Sequence, residues 1–333
     1  MDTRGHSKEP RLSWVVPVYN EEDGLGELLR RLKLASVEIV GEDYEIVCVN
    51  DGSTDGSLDF LKSQEQPALV VVDLARNYGH QIALTAGLEA ARGARVLIID
   101  ADLQDPPELV GPMMALMDDG NDVVYGVRKK RDGENWFKLG TAYAFYRLVS
   151  KLSSTPIAPD AGDFRLMSRR AVDNLNSMPE RFRFVRGMVG WLGLKQVPIH
   201  YDRAERFAGK THYPLRKMLV LAIDAITSFS ILPLRFASLA GAICGLLGIL
   251  LMGFALYAWI TGNVVQGWTS LAGLVLLLGS VQLLILGVFG EYLGRMYLEV
   301  KRRPLYFVNE LITNGARETN SSPSFRKNRR ERS

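Results

Sequence analysis

Cysteine is almost missing: Cys48 and Cys244 are the only two among 333 residues. They match no metal-ligand spacing, and one falls in an expected strand and the other in an apolar span, so they are not expected to pair. A reducing, cytoplasmic setting for the soluble part is the simplest inference. Surplus charge is missing too. The chain sets 40 Lys and Arg against 37 Asp and Glu, a formal net charge of +3, which is too small to imply a nucleic-acid partner. Residues 1–11 are polar, the first apolar run is short, and no cleavable signal peptide is expected. The sharpest absence is local. Between Phe236 and Phe289 there is no Lys, Arg, Asp or Glu, a length and purity uncommon in the core helices of soluble proteins.

What is present centres on Val96-Leu-Ile-Ile-Asp-Ala-Asp-Leu-Gln-Asp-Pro-Pro-Glu108. Val96 to Ile99 suits a strand buried on both faces. The run stops on Asp100 and Asp102, and Pro106-Pro107 starts a new helix. Open α/β sheets bind ligands at the carboxyl ends of their strands. Residues i and i+2 of an extended chain face the same side, so both carboxylates are expected at one site. Such a pair repels unless a cation sits between, and hard oxygen donors suit Mg²⁺ or Mn²⁺, which suit a diphosphate. The competing reading makes one Asp a helix cap and the other a solvated surface group.

The same grammar repeats along the chain. Leu12–Val18 ends in Pro17-Val-Tyr-Asn-Glu-Glu22, and a helix with Leu25, Leu28, Leu29 and Leu32 on one face follows. Tyr44 to Val49 ends in Asn50-Asp-Gly-Ser-Thr-Asp-Gly56, where Gly52 suits a tight turn and Ser53 or Thr54 a helix cap. Leu69 to Leu74 leads into Arg76-Asn-Tyr-Gly79, and Asp122 to Tyr125 begins a fifth strand. Strand, loop and helix alternate over the first 120 or so residues, which predicts a mostly parallel sheet wound with helices.

Pro17-x-Tyr-Asn-Glu21, Asn50-Asp-Gly-Ser-Thr-Asp55 and Asp100-Ala-Asp-Leu-Gln-Asp-Pro-Pro-Glu108 together resemble the family 2 inverting glycosyltransferases of GT-A fold. The match is to the branch that transfers a sugar from a nucleotide to a polyprenyl phosphate: dolichol-phosphate mannose synthases and bacterial undecaprenyl-phosphate glycosyltransferases. Gly162-Asp-Phe-Arg-Leu-Met167 and the two apolar spans resemble the GtrB-type subgroup, over residues 12–308. The resemblance implies a Rossmann-like α/β catalytic domain over 12–213. It places Pro17, Tyr19, Asn20, Glu21, Val49, Asp51, Asp100, Ala101 and Asp102 on the nucleotide sugar, a metal on Asp102 and Gln104, and Arg128 on the donor phosphates. Asn50 departs from the Asp that many relatives carry, with Asp51 retained.

Asp163 lies among turn residues, Pro159-Asp-Ala-Gly-Asp163, before an expected helix over Arg165–Val172, and capping that helix is its competing role. By resemblance it faces the anomeric carbon, as a base or as an orienting anion opposing oxocarbenium charge; Asp160 is a second candidate. A phosphate monoester has its second pKa near 6, so the acceptor is largely ionised without help. Arg203-Ala-Glu-Arg-Phe-Ala-Gly-Lys-Thr-His-Tyr213 is a basic loop suited to phosphate or anionic headgroups. Arg203, Arg206, Lys210 and His212 are its candidate acceptor and diphosphate contacts; the family pattern has Lys where His212 stands, leaving open which cation meets the phosphate.

Residues 214–232 have helical amphipathic spacing, expected to lie in the membrane interface, with an amphipathic core helix as the competitor. Within 233–291, spans are expected over about 236–260 and 271–289, roughly 37 and 28 Å long as helices. Arg235 before the first span, and Arg295, Lys301, Arg302 and Arg303 after the second, put the catalytic domain and both termini in the cytoplasm, at the inner membrane. Gln282 is expected to face the partner helix or another subunit rather than lipid, and Gly241, Gly245 and Gly248 to permit close helix contact. Residues 1–11, 292–312 and 313–333 read as a disordered leader, a juxtamembrane segment and a disordered basic tail.

The favoured activity is transfer of glucose from UDP-glucose to undecaprenyl phosphate with inversion, for cell-envelope glycan or lipid modification. UDP-N-acetylhexosamine, a modified arabinose or GDP-mannose are alternative donors, and a homotetramer is implied by resemblance. A processive polysaccharide synthase would carry a Gln-x-x-Arg-Trp motif and more spans, and neither is seen. The non-enzyme alternative is a lipid-binding or lipid-translocating protein with an inactive sugar-nucleotide fold.

Overall fold

The structure is a computed structural model that describes residues 9–128, 161–202, 232–261, 267–313 and 316–319. The expected interfacial helix, the candidates Asp160, Arg203, Arg206, Lys210 and His212, and most of the expected leader lie outside these residues. The chain divides into two compact units, one carrying the sheet and the other the long apolar helices.

The first unit is built on nine strands in the order β7-β5-β6-β4-β1-β2-β3-β8-β9. Strands β1 (Leu12–Val18), β2 (Tyr44–Asn50) and β3 (Leu69–Leu74) are buried along their whole length, as their unbroken apolar runs require. They pair in parallel with each other, and β1 pairs in parallel with β4 (Arg95–Ile98). Alternate residues feed two cores. Trp14, Val16, Ile46, Cys48 and Leu97 pack under α1 (Glu22–Val40) and α4 (Val110–Asp118). Val15, Val47, Val49 and Ile98 pack under α3 (His80–Ala90), α5 (Arg169–Ser177) and α6 (Val185–Trp191). Trp14 is fully buried, and its Nε1 donates to Ser36 Oγ at 2.7 Å; its loss to Ala is worth about 3–5 kcal/mol. Helix α3 lies close enough on β1 and β2 that a Cβ on Gly87 would come within 2.4 Å of Val15 Cγ1.

Beyond β4 the sheet becomes mixed. β6 (Ala161–Ser168) runs antiparallel to both β4 and β5 (Val123–Arg128), and β7 (Gln196–Tyr201) runs parallel to β5. Asp163 is therefore a strand residue. The helix after it starts at Arg169 and is capped by Ser168, whose Oγ accepts from Ala171 N at 3.2 Å, so the capping role considered for Asp163 is excluded. The segments expected to be juxtamembrane and disordered also contain structure. Val308–Thr313 forms β8, antiparallel to β3, and Ala316–Thr319 forms β9, antiparallel to β8. Pairing with β3 satisfies an edge that would otherwise be open. Lys62 Nζ meets Glu310 Oε2 at 2.6 Å, and Tyr306 donates to Glu89 at 2.7 Å, fastening the returning chain.

The second unit holds α7 (Leu232–Ile260) and α8 (Trp268–Val300), 29 and 33 residues long. Both are long and apolar enough to cross a membrane, over Leu234–Ala258 and Gly273–Val300, with mean hydropathy 2.4 and 2.3. Pro233 sits in the first turn of α7, where a missing N–H costs nothing. The second helix outruns its uncharged stretch by ten residues, Glu291 to Val300, because Glu291, Arg295 and Glu299 recur at helical spacing, with Arg295 bonded to Glu291 at 2.9 Å. Gly241 faces α8, a Cβ there lying 3.6 Å from Ile285 Cδ1, whereas Gly245 and Gly248 face no described neighbour. Gln282 is exposed on this chain.

Candidate active site

The loops leaving β1, β2 and β3 are laced together at the carboxyl edge of the sheet. Asn20, at φ +56°, accepts from Thr54 N at 2.8 Å and donates its own N–H to Ser53 Oγ at 3.1 Å. Ser53 and Thr54 thus hold the first loop and do not cap the next helix, α2 (Ser57–Ser63); Asp55 Oδ1 accepts from Ser57 N there at 3.1 Å. Asp51 accepts from the backbone of Tyr78 at 2.7 Å and of Gly79 at 2.9 Å. Gly52 is obligatory at φ +67°, since a Cβ would come within 2.5 Å of Asn77 N. Asn50 donates to Asp73 Oδ1 at 2.7 Å, both buried. A carboxylate at position 50 would repel Asp73, which accounts for the amide.

Strand β4 ends at Ile98, earlier than the apolar run suggests, and the chain turns through Ala101-Asp102 to Leu103 at φ +59°. Asp102 Oδ1 closes that turn by accepting from Gln104 N at 3.2 Å. Asp100 and Asp102 reach one site through this turn rather than through strand alternation. They line a cavity of about 230 Å³ with Pro17, Tyr19, Asp51 and His80. Glu21 and Ala101 line it too, together with Val18, Asn77, Gly79 and Ala83. Asn20, Val49, Gln104 and Arg128 are not among its lining residues. Val49 is buried beneath α3, and Arg128 pairs in register with Tyr201 at the end of β5. Tyr201 donates to the buried Asp105 behind the turn, and burial together with the Asp105 charge raises its pKa.

The carboxylates differ in their surroundings. Asp100 Oδ1 is buried without a hydrogen-bond partner among the described residues, 3.6 Å from His80 Nε2. Burial pushes its pKa up to about 6, with His80 opposing and Asp163 reinforcing. Asp163 is more deeply enclosed, its side chain 2% exposed, yet it is saturated with donors. Arg186 Nε donates to Oδ1 at 2.8 Å and Nη2 to Oδ2 at 2.9 Å, Gln81 Nε2 donates to Oδ2 at 3.3 Å, and His80 Nε2 lies 3.2 Å away. Burial acts to raise the Asp163 pKa, but the His80 and Arg186 hydrogen bonds outweigh it and hold it well below the usual carboxylate range. For His80, burial disfavours charge, while Asp163 and Asp100 raise its pKa overall. Arg165, two residues along β6, is buried and its pKa falls to about 10.

Among the described residues no three His, Cys, Asp or Glu side chains form a metal cage. The open pair Asp100 and Asp102, one with an orphaned oxygen, fits a hard cation completed by a ligand's phosphates, the way Mg²⁺ is commonly held.

The model of the family described as glycosyl transferase family 2 matches residues 13–175. The uncharacterized glycosyltransferase YkcC of Bacillus subtilis is 48% identical over 307 residues, 91% of this chain and 95% of its own length. A prophage bactoprenol glucosyl transferase homolog of Escherichia coli is 38% identical over 309 residues, covering 90% of this chain and 99% of its own. The bactoprenol glucosyl transferase of Shigella phage SfII is 38% identical over 308 residues, 90% of this chain and 98% of its own. A GT-A sheet whose loops carry this carboxylate pair, matched by the family model and by relatives along nine tenths of its length, places the chain in glycosyl transferase family 2.

Proposed function

We propose that the protein transfers glucose from UDP-glucose to the phosphate of a polyprenyl phosphate at the cytoplasmic face of a membrane. The observation that carries this reading is the contrast across His80: Asp100, with an orphaned oxygen, lines an open cavity with Asp102, and Asp163 on the other side is closed and saturated with donors. Relatives named for bactoprenol glucosyl transfer and two helices suited to a bilayer support the lipid acceptor.

Tyr19 and Asp51 flank the nucleoside, and Asp100 and Asp102 face the diphosphate. A divalent ion, Mg²⁺ or Mn²⁺, would be held by Asp102 with Asp100 beside it and Gln104 contributing, and supplies charge compensation for the leaving diphosphate when bound. An acceptor phosphate oxygen attacks the anomeric carbon as that carbon's bond to the β-phosphate oxygen breaks; configuration inverts and UDP leaves. The acceptor is already ionised at neutral pH, and Asp163 has too low a proton affinity to act as a strong base. Its work is to orient the acceptor and oppose the positive charge that develops on the sugar. Arg203, Arg206, Lys210 and His212 are assigned to the acceptor and leaving phosphates, and the assembly to a homotetramer. Membrane anchoring raises the effective concentration of an acceptor that cannot leave the bilayer.

The test is full-length protein with undecaprenyl phosphate, Mn²⁺ or Mg²⁺, and a panel of labelled nucleotide sugars. Glucosyl-phospholipid and free UDP in equal amounts are expected. Absence of any lipid-linked sugar across the panel overturns the reading.

A further inference from the structure

Two helices converge on Asp163. Arg186, in the first turn of α6, grips both of its oxygens at 2.8 and 2.9 Å. Gln81, in the first turn of α3, does two things at once: Nε2 donates to Asp163 Oδ2 at 3.3 Å, and Oε1 accepts from Val185 N, the residue opening α6, at 2.9 Å. Gln81 is therefore a strut between α3, α6 and β6. The guanidinium fork is planar and rigid, so a two-point contact fixes the plane of the carboxylate as well as its charge. Exposure runs the other way from depth of chemistry: Arg186 is 32% exposed and Asp163 only 2%. A buried carboxylate stripped of such donors takes a proton or turns towards water.

We propose that Arg186 and Gln81 are positioning residues of the transfer reaction, holding the plane of Asp163 towards the reacting carbon and affecting rate only through it. This rests on the role given to Asp163 above. Neither residue contacts the cavity that receives the nucleotide, so their effect belongs to kcat and not to donor binding.

The experiment uses the full chain and measures kcat, donor KM and UDP affinity by calorimetry for Asp163→Asn, Arg186→Ala, Arg186→Lys, Gln81→Leu and the double variant Asp163→Asn/Arg186→Ala. Arg186→Ala is expected to lower kcat about 100-fold, the scale of a misplacement near 1 Å, with UDP affinity held within about threefold of the parent. Arg186→Lys keeps the charge but not the fork and is expected to retain most of that loss. Gln81→Leu is expected to lower kcat about tenfold. The double variant is expected to be no slower than Asp163→Asn alone, because residues acting through one group are not additive. The proposal is overturned if Arg186→Ala slows the Asp163→Asn enzyme by the same factor as the parent, or if Arg186→Ala and Gln81→Leu both leave kcat unchanged. Should Arg186→Ala lose UDP binding and so report misfolding, Arg186→Lys and Gln81→Leu decide by the same criteria. A slow Asp163→Asn beside a normal Arg186→Ala removes the clamp and leaves the Asp163 assignment standing. Normal turnover in Asp163→Asn removes both.

Discussion

Asp100 and Asp163 lie on either side of His80, whose Nε2 is 3.6 Å from Oδ1 of the first and 3.2 Å from Oδ2 of the second. Asp100 comes from the parallel half of the sheet, at the end of β4, and is 27% exposed with one oxygen unsatisfied. Asp163 comes from the antiparallel half, on β6, and is closed and fully supplied with donors. Their proton affinities move in opposite directions, the first up to about 6 and the second well down. Two carboxylates with opposed environments divide a reaction's labour. In the proposed reaction the one short of positive charge would face the cation, and the one already compensated would act as a fixed anion.

The strongest way to break that division is Asp102→Ala, which removes the other half of the open pair. Turnover is expected to fall on the order of 1000-fold, with loss of metal-dependent UDP binding. Titrating Mn²⁺ in a nucleotide-binding assay checks it, and unaltered metal dependence would reassign the cation. Asp163→Asn comes next, with kcat expected to drop about 100-fold while UDP affinity changes less than about threefold. A matched loss in both would place Asp163 on the donor instead.

A buried, saturated carboxylate is not catalytic merely because it is saturated. Glu45 accepts from Ser13 Oγ at 2.7 Å, and from Arg92 through N at 2.6 Å, Nε at 3.0 Å and Nη2 at 2.9 Å. It sits near the start of β2, at the opposite edge of the sheet from the cavity. Glu45→Gln is expected to cost about 2 kcal/mol of stability, read by denaturant unfolding of the sheet unit, with donor KM and kcat unchanged. A kinetic defect there would mean that saturation, not position, marks the working carboxylate.

The parallel half was legible because its signals are local. Leu12–Val18, Tyr44–Asn50 and Leu69–Leu74 are apolar runs ending in polar loops, and each became a buried strand with its loop at one edge. The antiparallel half was less so. Ala161–Ser168 interrupts its apolar pattern with Asp163 and a buried Arg165, and turn residues precede it, so it reads as a cap when it is a strand. Arg186 lies 23 residues beyond Asp163, and no local periodicity links them. His80 carries a usable signal: it follows the strand-end loop Arg76–Gly79, and strand-end loops gather at the ligand. Strand β8 was hidden for a different reason. It pairs with β3 across more than 230 residues, past both apolar helices, and its only neighbour in sequence among the described strands is the four-residue β9, too short to mark the pair as part of the main sheet.

The smallest effect separates the two carboxylates by pH. Asp100 has a folded pKa of about 6, above its unfolded value, so the native chain binds the extra proton between about pH 4 and 6. Stability from this group is greatest below that window and falls as pH rises through it. Asp163 has the opposite sign: its folded pKa lies below the unfolded value, so its contribution is complete above about pH 4 and is lost only on further acidification. In EDTA, stability of the sheet unit is expected to decline by about 1–2 kcal/mol from pH 4.5 to pH 7 on account of Asp100, and Asp100→Asn is expected to flatten that slope. Excess Mn²⁺ with UDP should flatten it as well, because a bound cation replaces the proton that the orphaned oxygen otherwise prefers. If the slope survives Asp100→Asn, the uncompensated charge in this site belongs to another group, and the open half of the comparison has been assigned to the wrong residue.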